Sequence, residues 1–586
     1  KTGEWVWQHR SVPSSDPFSY SAAGKPWISH EWLFGLIMYL AWRAGDVTAL
    51  VSVKAALIGL LFLLAAWTAH ARRALPGMLF LVLAAAHAIA RFRFTERPEL
   101  FSVSLAVAFI LVHETSREKP CRLILLPFLQ VAWANIHGGT AILGWALAGA
   151  LFLDVVWESR REGISWQLLP RQSRFLRQGI ALAGVVAGSF ANPQGARTLF
   201  YGLLRTESPL DNKEFQSLFR MMDSGIDVSL ALFLAFAALL GFFFALRPRS
   251  VRGYEWLLFP ILLAVTVVFY RFRPLFVFLF APTLAWQLSR GKWLGRLRLW
   301  LPLLAALWLM AHTVTLEARS YFYRFGPGVH RGIFPQEGVD FLKRHSLAGR
   351  MFNTYGIGGY LIWSLWPEQR VFIDGREDVY LEPGVLEEYV HCFDSRDRWQ
   401  ALVDKYSIDF AIVRYPEQAP ARPEQSLDTL AFPRQDWGLA YFDDVVAIYV
   451  RRNGKDAGLL KEGEIKIVQP LQLSAYLDGV IRDPGQLRLF LEEMTRHLEE
   501  HPESFRDHFN LGMLAVKRGP DFLNIALQEF EQAALLNPEY TPAWINLGGI
   551  YLHLGRVSEA ERAYRKVLAI EKNALAAEQL RRLRRM

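Results

Sequence analysis

Up to about residue 318 the sequence is a succession of apolar blocks separated by short joints carrying arginine, lysine, glycine or proline. The blocks run at about 47–69, 77–90, 98–114, 121–136, 138–157, 177–192, 227–246, 254–270, 274–289 and 298–317. So many apolar segments in series point to a polytopic α-helical membrane protein. Several blocks are only about 16 residues long, and flanking Phe, Trp and Arg lengthen such segments by lying at the interface. The pattern predicts about ten crossings. Beyond residue 318 no such block occurs, so the C-terminal half is expected to be soluble.

The chain average conceals this division. Of 586 residues, 52% are hydrophobic and 21% charged, with 20 Trp and 41 Phe. A mean hydropathy of +0.15 is too high for a soluble enzyme and too low for membrane helices alone. Two cysteines, Cys121 and Cys392, exclude a disulfide scaffold and a Cys-based metal site.

The formal charge of +9 raises the question of nucleic acid, and the placement of the basic residues answers it. Alternate joints differ. One set holds Arg72, Arg73, Arg117, Lys119, Arg122, Arg160, Arg161, Arg171, Arg174, Arg177, Arg247, Arg249, Arg252, Arg290, Lys292, Arg296 and Arg298. The other holds Arg91, Arg93, Arg97, Arg197, Arg205, Lys213, Arg220, Arg271 and Arg273. Positive charge favours the cytoplasmic side, so the first set is assigned inside and no nucleic acid partner is expected. Residues 1–46 then lie outside as a loop, and the apolar stretch at about 31–44 is an interfacial or re-entrant helix. After ten crossings the soluble half is also outside.

Residues 319–456 read as a small α/β domain. Val371–Asp374 and Phe410–Val413 are predicted buried strands, and Leu439–Val450 a hairpin turning at Asp443-Asp444. The glycine-rich stretch Gly349–Tyr360 lacks the phosphate-loop pattern and reads as a tight strand–helix turn. Asp374-Gly375-Arg376-Glu377-Asp378 follows a predicted strand, a place for either a salt-bridged turn or a ligand. A linker over 457–483 leads to an internal repeat within 484–586. Asn510-Leu511-Gly512 recurs as Asn546-Leu547-Gly548, Gly519 as Gly555, Ala526 as Ala560 and Phe530 as Tyr564. Two extra residues, at Pro520-Asp521, fall in the turn of the first copy. The pattern resembles tetratricopeptide repeats, with helices at about 484–502 and 574–586 as caps, and predicts a protein partner. The Arg581–Arg585 tail reads as a solvated helix face.

The assigned topology collects polar residues on the outer side. Asp16, Lys25, His30 and Glu31 come from the first segment. Arg91, Arg93, Glu96, Arg97, Glu99, His137, Asn192, Arg197, Arg271 and Arg273 come from later joints. Arginine forks suit phosphate, and a neighbouring carboxylate can take a proton from a hydroxyl or amine. Each has a plainer use: the arginines as helix anchors at headgroups, His137 as a helix cap, Asp16-Pro17 as a turn. No metal role is expected.

The segment Gly24-Lys25-Pro26-Trp27, followed by His30-Glu31-Trp32-Leu33 and Gly45, resembles the first outer loop of the GT-C superfamily of polyprenyl-phosphate-sugar-dependent glycosyltransferases, which includes aminoarabinose transferases and protein O-mannosyltransferases. A closer resemblance is to an uncharacterised bacterial membrane group with HEWL, RPELF, NIHGG and NPQG motifs, here His30–Leu33, Arg97–Phe101, Asn135–Gly139 and Asn192–Gly195. Its outer α/β signature matches Gly349–Leu361 and Phe372–Arg376. The resemblance implies a GT-C-like bundle over 47–318 in a bacterial inner membrane, with the C-terminal half in the periplasm. It implies transfer of a sugar from a polyprenyl-phosphate donor to an acceptor on the outer face, with no further cofactor. Lys25 would lie near the donor phosphate with Arg97 and Arg271, supported by His30, Arg91 and Arg273. Asp16, Glu31 or His137 would act as base. The superfamily also places an acidic motif on a helix just before the equivalent of Lys1, so that motif and a first span are expected upstream, giving eleven spans. The alternative expectation is a catalytically silent membrane scaffold that binds partners through its repeats.

Overall fold

The structure is a computed structural model, and it describes all residues except 205–215, 225–226, 292–299, 322–325, 417–425, 473–474 and 585–586. Arg205, Lys213, Lys292, Arg296, Arg298 and Arg585 lie outside the described residues. The chain divides into two units, the first comprising Lys1–Ser14, Trp27–Ala318 and Gly326–Gly328, the second Ser15–Pro26, Arg319–Phe325 and Val329–Met586. The segment 1–46 is therefore shared, with Asp16 and Lys25 in the second unit.

The first unit is helical: α1 (Thr2–His9), α2 (Trp32–Ala71), α3 (Pro76–Ala90), α4 (Glu99–Ser116), α5 (Leu125–Ile136), α6 (Ile142–Arg161), α7 (Ser173–Gly188), α8 (Ala196–Leu204), α9 (Leu218–Ser224), α10 (Val228–Leu246), α11 (Gly253–Val268), α12 (Arg273–Ser289) and α13 (Trp300–Arg319). Helix α2 breaks at Gly45 and Asp46, where Asp46 has φ 54°. The apolar stretch at 31–44 and the block at 47–69 are its two arms.

Most of the described length of every predicted block is helical, but among the described residues six helices, not ten, are long and apolar enough to cross a membrane: Trp32–Ala71, Pro76–Arg93, Glu99–Ser116, Gly138–Arg161, Val228–Leu246 and Trp300–Ala318. The difference has physical causes. Pro120–Ile136 and Gly253–Val268 are apolar but short. Helix α7 carries Arg174 and Arg177 along its first two turns. Helix α12 is enclosed by protein, with nearly every residue from Arg273 to Gln287 buried. Around it Phe109, Trp133, Phe233, Phe236, Phe276, Phe278 and Phe280 form one core. Large apolar side chains on other helices face outward, among them Ile124, Phe128, Ile180, Phe242, Leu304 and Trp308, each more than half exposed. So much exposed apolar area suits contact with hydrocarbon better than with water.

The second unit joins a four-stranded sheet to a helical array. Strands β1 (Arg350–Asn353), β2 (Ile408–Arg414), β3 (Trp437–Phe442) and β4 (Val446–Arg451) take the order β1-β2-β4-β3. The pair β1–β2 is parallel and β2–β4–β3 antiparallel. Helices α14 (Gln336–His345), α15 (Gly358–Leu365), α16 (Glu377–Leu381), α17 (Val385–His391), α18 (Arg396–Tyr406) and α19 (Leu427–Leu430) complete this part. The hairpin turns at Asp443-Asp444, where Asp443 Oδ1 accepts the backbone N–H groups of Val445 and Val446.

One predicted strand is corrected. Val371–Asp374 is buried but joins no ladder, making a single bridge from Val371 to Ser19. Its backbone is tied instead by a side chain: Asn353 Oδ1 accepts from Phe372 N at 2.8 Å and Asn353 Nδ2 donates to the Ile373 carbonyl at 2.7 Å. That side chain takes the place a neighbouring strand's backbone would occupy.

After α20 (Leu459–Gly463) and α21 (Leu477–Arg482) come α22 (Pro484–Glu500), α23 (Phe505–Arg518), α24 (Leu523–Leu536), α25 (Thr541–His553), α26 (Val557–Ile570) and α27 (Ala574–Leu583). The two copies are α23–α24 and α25–α26, and the extra residues of the first form a short 3-10 turn at Pro520–Phe522. The recurring glycines answer to close packing. A Cβ on Gly512 would lie 2.8 Å from the Phe530 ring, and one on Gly548 2.6 Å from that of Tyr564.

Candidate functional site

Consecutive helices run up and down, so one end of the bundle gathers the end of α3, the start of α4, the α5–α6 turn and the α11–α12 turn. There the motifs interlock. Trp32 Nε1 donates to Asn135 Oδ1 at 3.1 Å, and Asn135 Nδ2 donates to the Ala191 carbonyl at 2.8 Å. Gly138 N donates to the His30 carbonyl at 2.9 Å. A Cβ on Gly138 would sit 1.9 Å from the Thr198 methyl, so the α5–α6 turn and the segment after Asn192 meet through the missing side chain.

Beside these contacts is a cavity of about 80 Å³ lined by Arg93, Glu99, Ser102, His137, Thr140 and Arg271, with Leu61, Phe94, Leu100, Val103, Leu143, Phe272, Pro274 and Leu275 as apolar walls. That volume holds a few waters or one small polar group. Arg93 is buried and pairs with Glu99, whose second oxygen has no hydrogen-bond partner. His137 Nδ1 lies 2.7 Å from Ser102 Oγ, which also accepts from Trp133 Nε1 at 3.0 Å. On its other side His137 Nε2 is 3.7 Å from Glu31 Oε1. Glu31 also lies 3.3 Å from His30 Nε2, and the His30 ring stacks on Tyr201 with centroids 4.1 Å apart.

Of the residues singled out from sequence, His30, Glu31, Arg93, Glu99, His137 and Arg271 are thus gathered at this end. Arg91 instead faces Glu317, 3.6 Å away. Arg97 is exposed. Arg273 is fully buried below, donating to Ser229 Oγ at 3.1 Å with its guanidinium 3.6 Å from the Tyr270 ring centre. Asp16 and Lys25 lie in the second unit. Asp16 accepts from Phe18 N at 3.0 Å, from Ser19, and from Arg376 Nη1 at 2.7 Å, and Arg376 in turn grips Asp374. Burial pushes the Asp374 carboxyl up, but the Arg376 guanidinium outweighs it and holds the group below its usual range. This is a salt-bridged turn. Lys25 is exposed, its backbone pairing with Asp16 and Ala22.

Sequence reasoning did not select Ser102, Thr140 or Trp133, which look like ordinary helix residues, and it ranked Arg91 above Arg93. At the ends of helices only the helical phase decides which arginine turns inward. A second polar cluster, at the opposite end of the bundle, was also not anticipated. Arg72 is buried among Glu114 at 2.8 Å, Glu255 at 2.5 Å, Thr283 at 2.6 Å and Tyr254. Nearby, Arg117 meets Asp154 and Glu158 at 3.0 and 2.9 Å, and His113 meets Asp154 at 3.1 Å. Basic residues first seen as topology markers are here paired structural groups.

Comparison with known proteins adds one family. Residues 525–583, spanning α24 to α27, match the tetratricopeptide repeat family, which supports the repeat reading there, and such repeats generally mediate protein–protein interaction. No curated protein matches the chain.

Proposed function

We propose that the first unit is a membrane glycosyltransferase that moves a sugar from a polyprenyl-phosphate donor to an acceptor on the outer face of a bacterial inner membrane, with the second unit in the periplasm. The observation that supports this reading is the cavity in which Arg93 and Arg271 stand with Glu99 and His137 among apolar walls. In the proposed reaction an acceptor hydroxyl or amine attacks the anomeric carbon, and the bond from that carbon to the phosphate oxygen breaks. The phosphate leaves with the bonding electrons, and its charge is met by the Arg271 and Arg93 forks. The acceptor's proton passes to His137, with Glu31 beside it to balance the resulting imidazolium. Asp16 is committed to Arg376, so Glu31 and His137 carry the base role in this scheme.

The test is lipid retention and sugar transfer by the purified chain in nanodiscs supplied with a polyprenyl phosphate sugar. Each charge-assisted contact removed should cost about 1.5–3 kcal/mol, so Arg271→Ala should weaken lipid retention at least about tenfold. His137→Gln should stop transfer while lipid is kept. Wild-type retention in an Arg93→Ala, Arg271→Ala double variant would overturn the site.

The repeats favour a second reading, a catalytically silent scaffold that holds a protein partner. Stoichiometric co-purification with another membrane protein, and no retained lipid phosphate, would select it.

A further inference from the structure

Within the second unit the sheet and the helical array meet at one imidazole. His497 on α22 stacks on the ring of Phe442, the last residue of β3, with centroids 3.9 Å apart and planes 7° apart. Its Nε2 is 2.8 Å from the Phe442 carbonyl oxygen, and its Nδ1 bonds to Asp507 on α23. A peptide carbonyl and an ionised carboxylate only accept, so both ring nitrogens must donate, which only the imidazolium can do. Asp507 calls for the same state. Its carboxylate is fully buried and its Oδ1 has no partner, so a neutral ring would leave a buried charge uncompensated.

We propose that His497 is a protonation-controlled latch: as the imidazolium it pins α22 and α23 to the β3–β4 hairpin, and on losing its proton it releases one of its two bonds and loosens the array from the sheet.

The groups around it fit this role. From the hairpin come Tyr441, whose hydroxyl donates to Asp443 at 2.9 Å, and Asp444, which caps α23 by accepting from Ser504 Oγ and Arg506 N. Arg506 Nε in turn donates to the Asp444 carbonyl at 3.0 Å. From α14 comes Glu337, 3.1 Å from His501, whose ring centre is 4.6 Å from that of His497. Glu493, one turn before His497, is occupied by the backbone N–H groups of Lys466, Ile467 and Val468. Burial alone would push the His497 ring down, but Asp507 and the Phe442 carbonyl outweigh it and hold the ring above its ordinary value. A raised folded-state value means the stabilisation is complete below the ordinary histidine value of about 6.5. It is lost as pH rises through the folded-state value. The latch is closed in mild acid and opens on the alkaline side.

The test uses the full chain in detergent from pH 5.5 to 9, reading histidine C2-proton exchange and backbone amide exchange by mass spectrometry. His497 should titrate above the ordinary histidine value of about 6.5. Amides over 439–446 and 490–510 should exchange, after intrinsic correction, at least about fivefold faster above that midpoint. Asp507→Asn should drop the His497 midpoint and carry the amide step with it, whereas His501→Gln should leave both in place. A His497 midpoint at or below about 6.5, or an amide step unchanged by Asp507→Asn, overturns the latch. If the Asn variant does not fold, the wild-type C2 midpoint decides alone.

Discussion

Arg72 ends α2, and its guanidinium meets side chains of α4, α11 and α12. A buried charge is tolerable only while its partners stay, and removing one member of such a pair costs about 3–5 kcal/mol. Arg72→Met should therefore lower the thermal unfolding temperature of the detergent-purified chain strongly. Arg72→Lys should rescue little, because an ammonium cannot present the planar fork that reaches Glu114 and Glu255 together. Unfolding unchanged in both variants would show the cluster to be dispensable. From sequence, Arg72 is indistinguishable from the neighbouring Arg73, since both flank an apolar block. The acids that claim Arg72 come from blocks more than 40 and 180 residues away.

Among the elements, legibility follows range. The repeat helices were readable because small and aromatic residues recur at one period, and their contact is local: Gly548 on α25 faces Tyr564 on α26. Gly548→Ala should cost about 1–3 kcal/mol through overpacking, and combining it with Tyr564→Leu should restore much of that. Amide exchange over 541–570 measures both, and a silent single variant would refute the tight approach. The hairpin was equally plain, because the Asp443-Asp444 turn sits between two apolar runs. Val371–Asp374 misled because burial alone makes an apolar run look like a strand, whereas its hydrogen bonds go to the Asn353 side chain and to the segment Phe18–Ser21. The cavity was half legible. The joints that build it could be listed, but Ser102, Thr140 and Trp133 join it only through helix packing. Asp16 and Arg376 are 360 positions apart, and nothing local predicts that they meet.

At the scale of the molecule, the proposed orientation rests on the basic joints, and the chain carries its own reporter. Cys121 is exposed within the joint assigned to the cytoplasm, whereas Cys392 is buried, and that burial pushes its thiol pKa up strongly. A membrane-impermeant maleimide should label the chain in inside-out vesicles and not in intact spheroplasts, and Cys392→Ser should not change the yield. Labelling from the outside only would reverse the topology and move the cavity to the cytoplasmic face.

Helix α12 has a consequence for biogenesis. Walled by protein along nearly its whole length, with Arg273, Pro274, Pro282 and Gln287 in its sequence, it offers lipid almost no surface and lacks the length of an independent span. Such a segment gains little by partitioning from the translocon on its own. In the proposed membrane setting its place would be secured by packing against α2, α3, α4, α10 and α11, so α12 would join the bundle by folding and not by independent insertion.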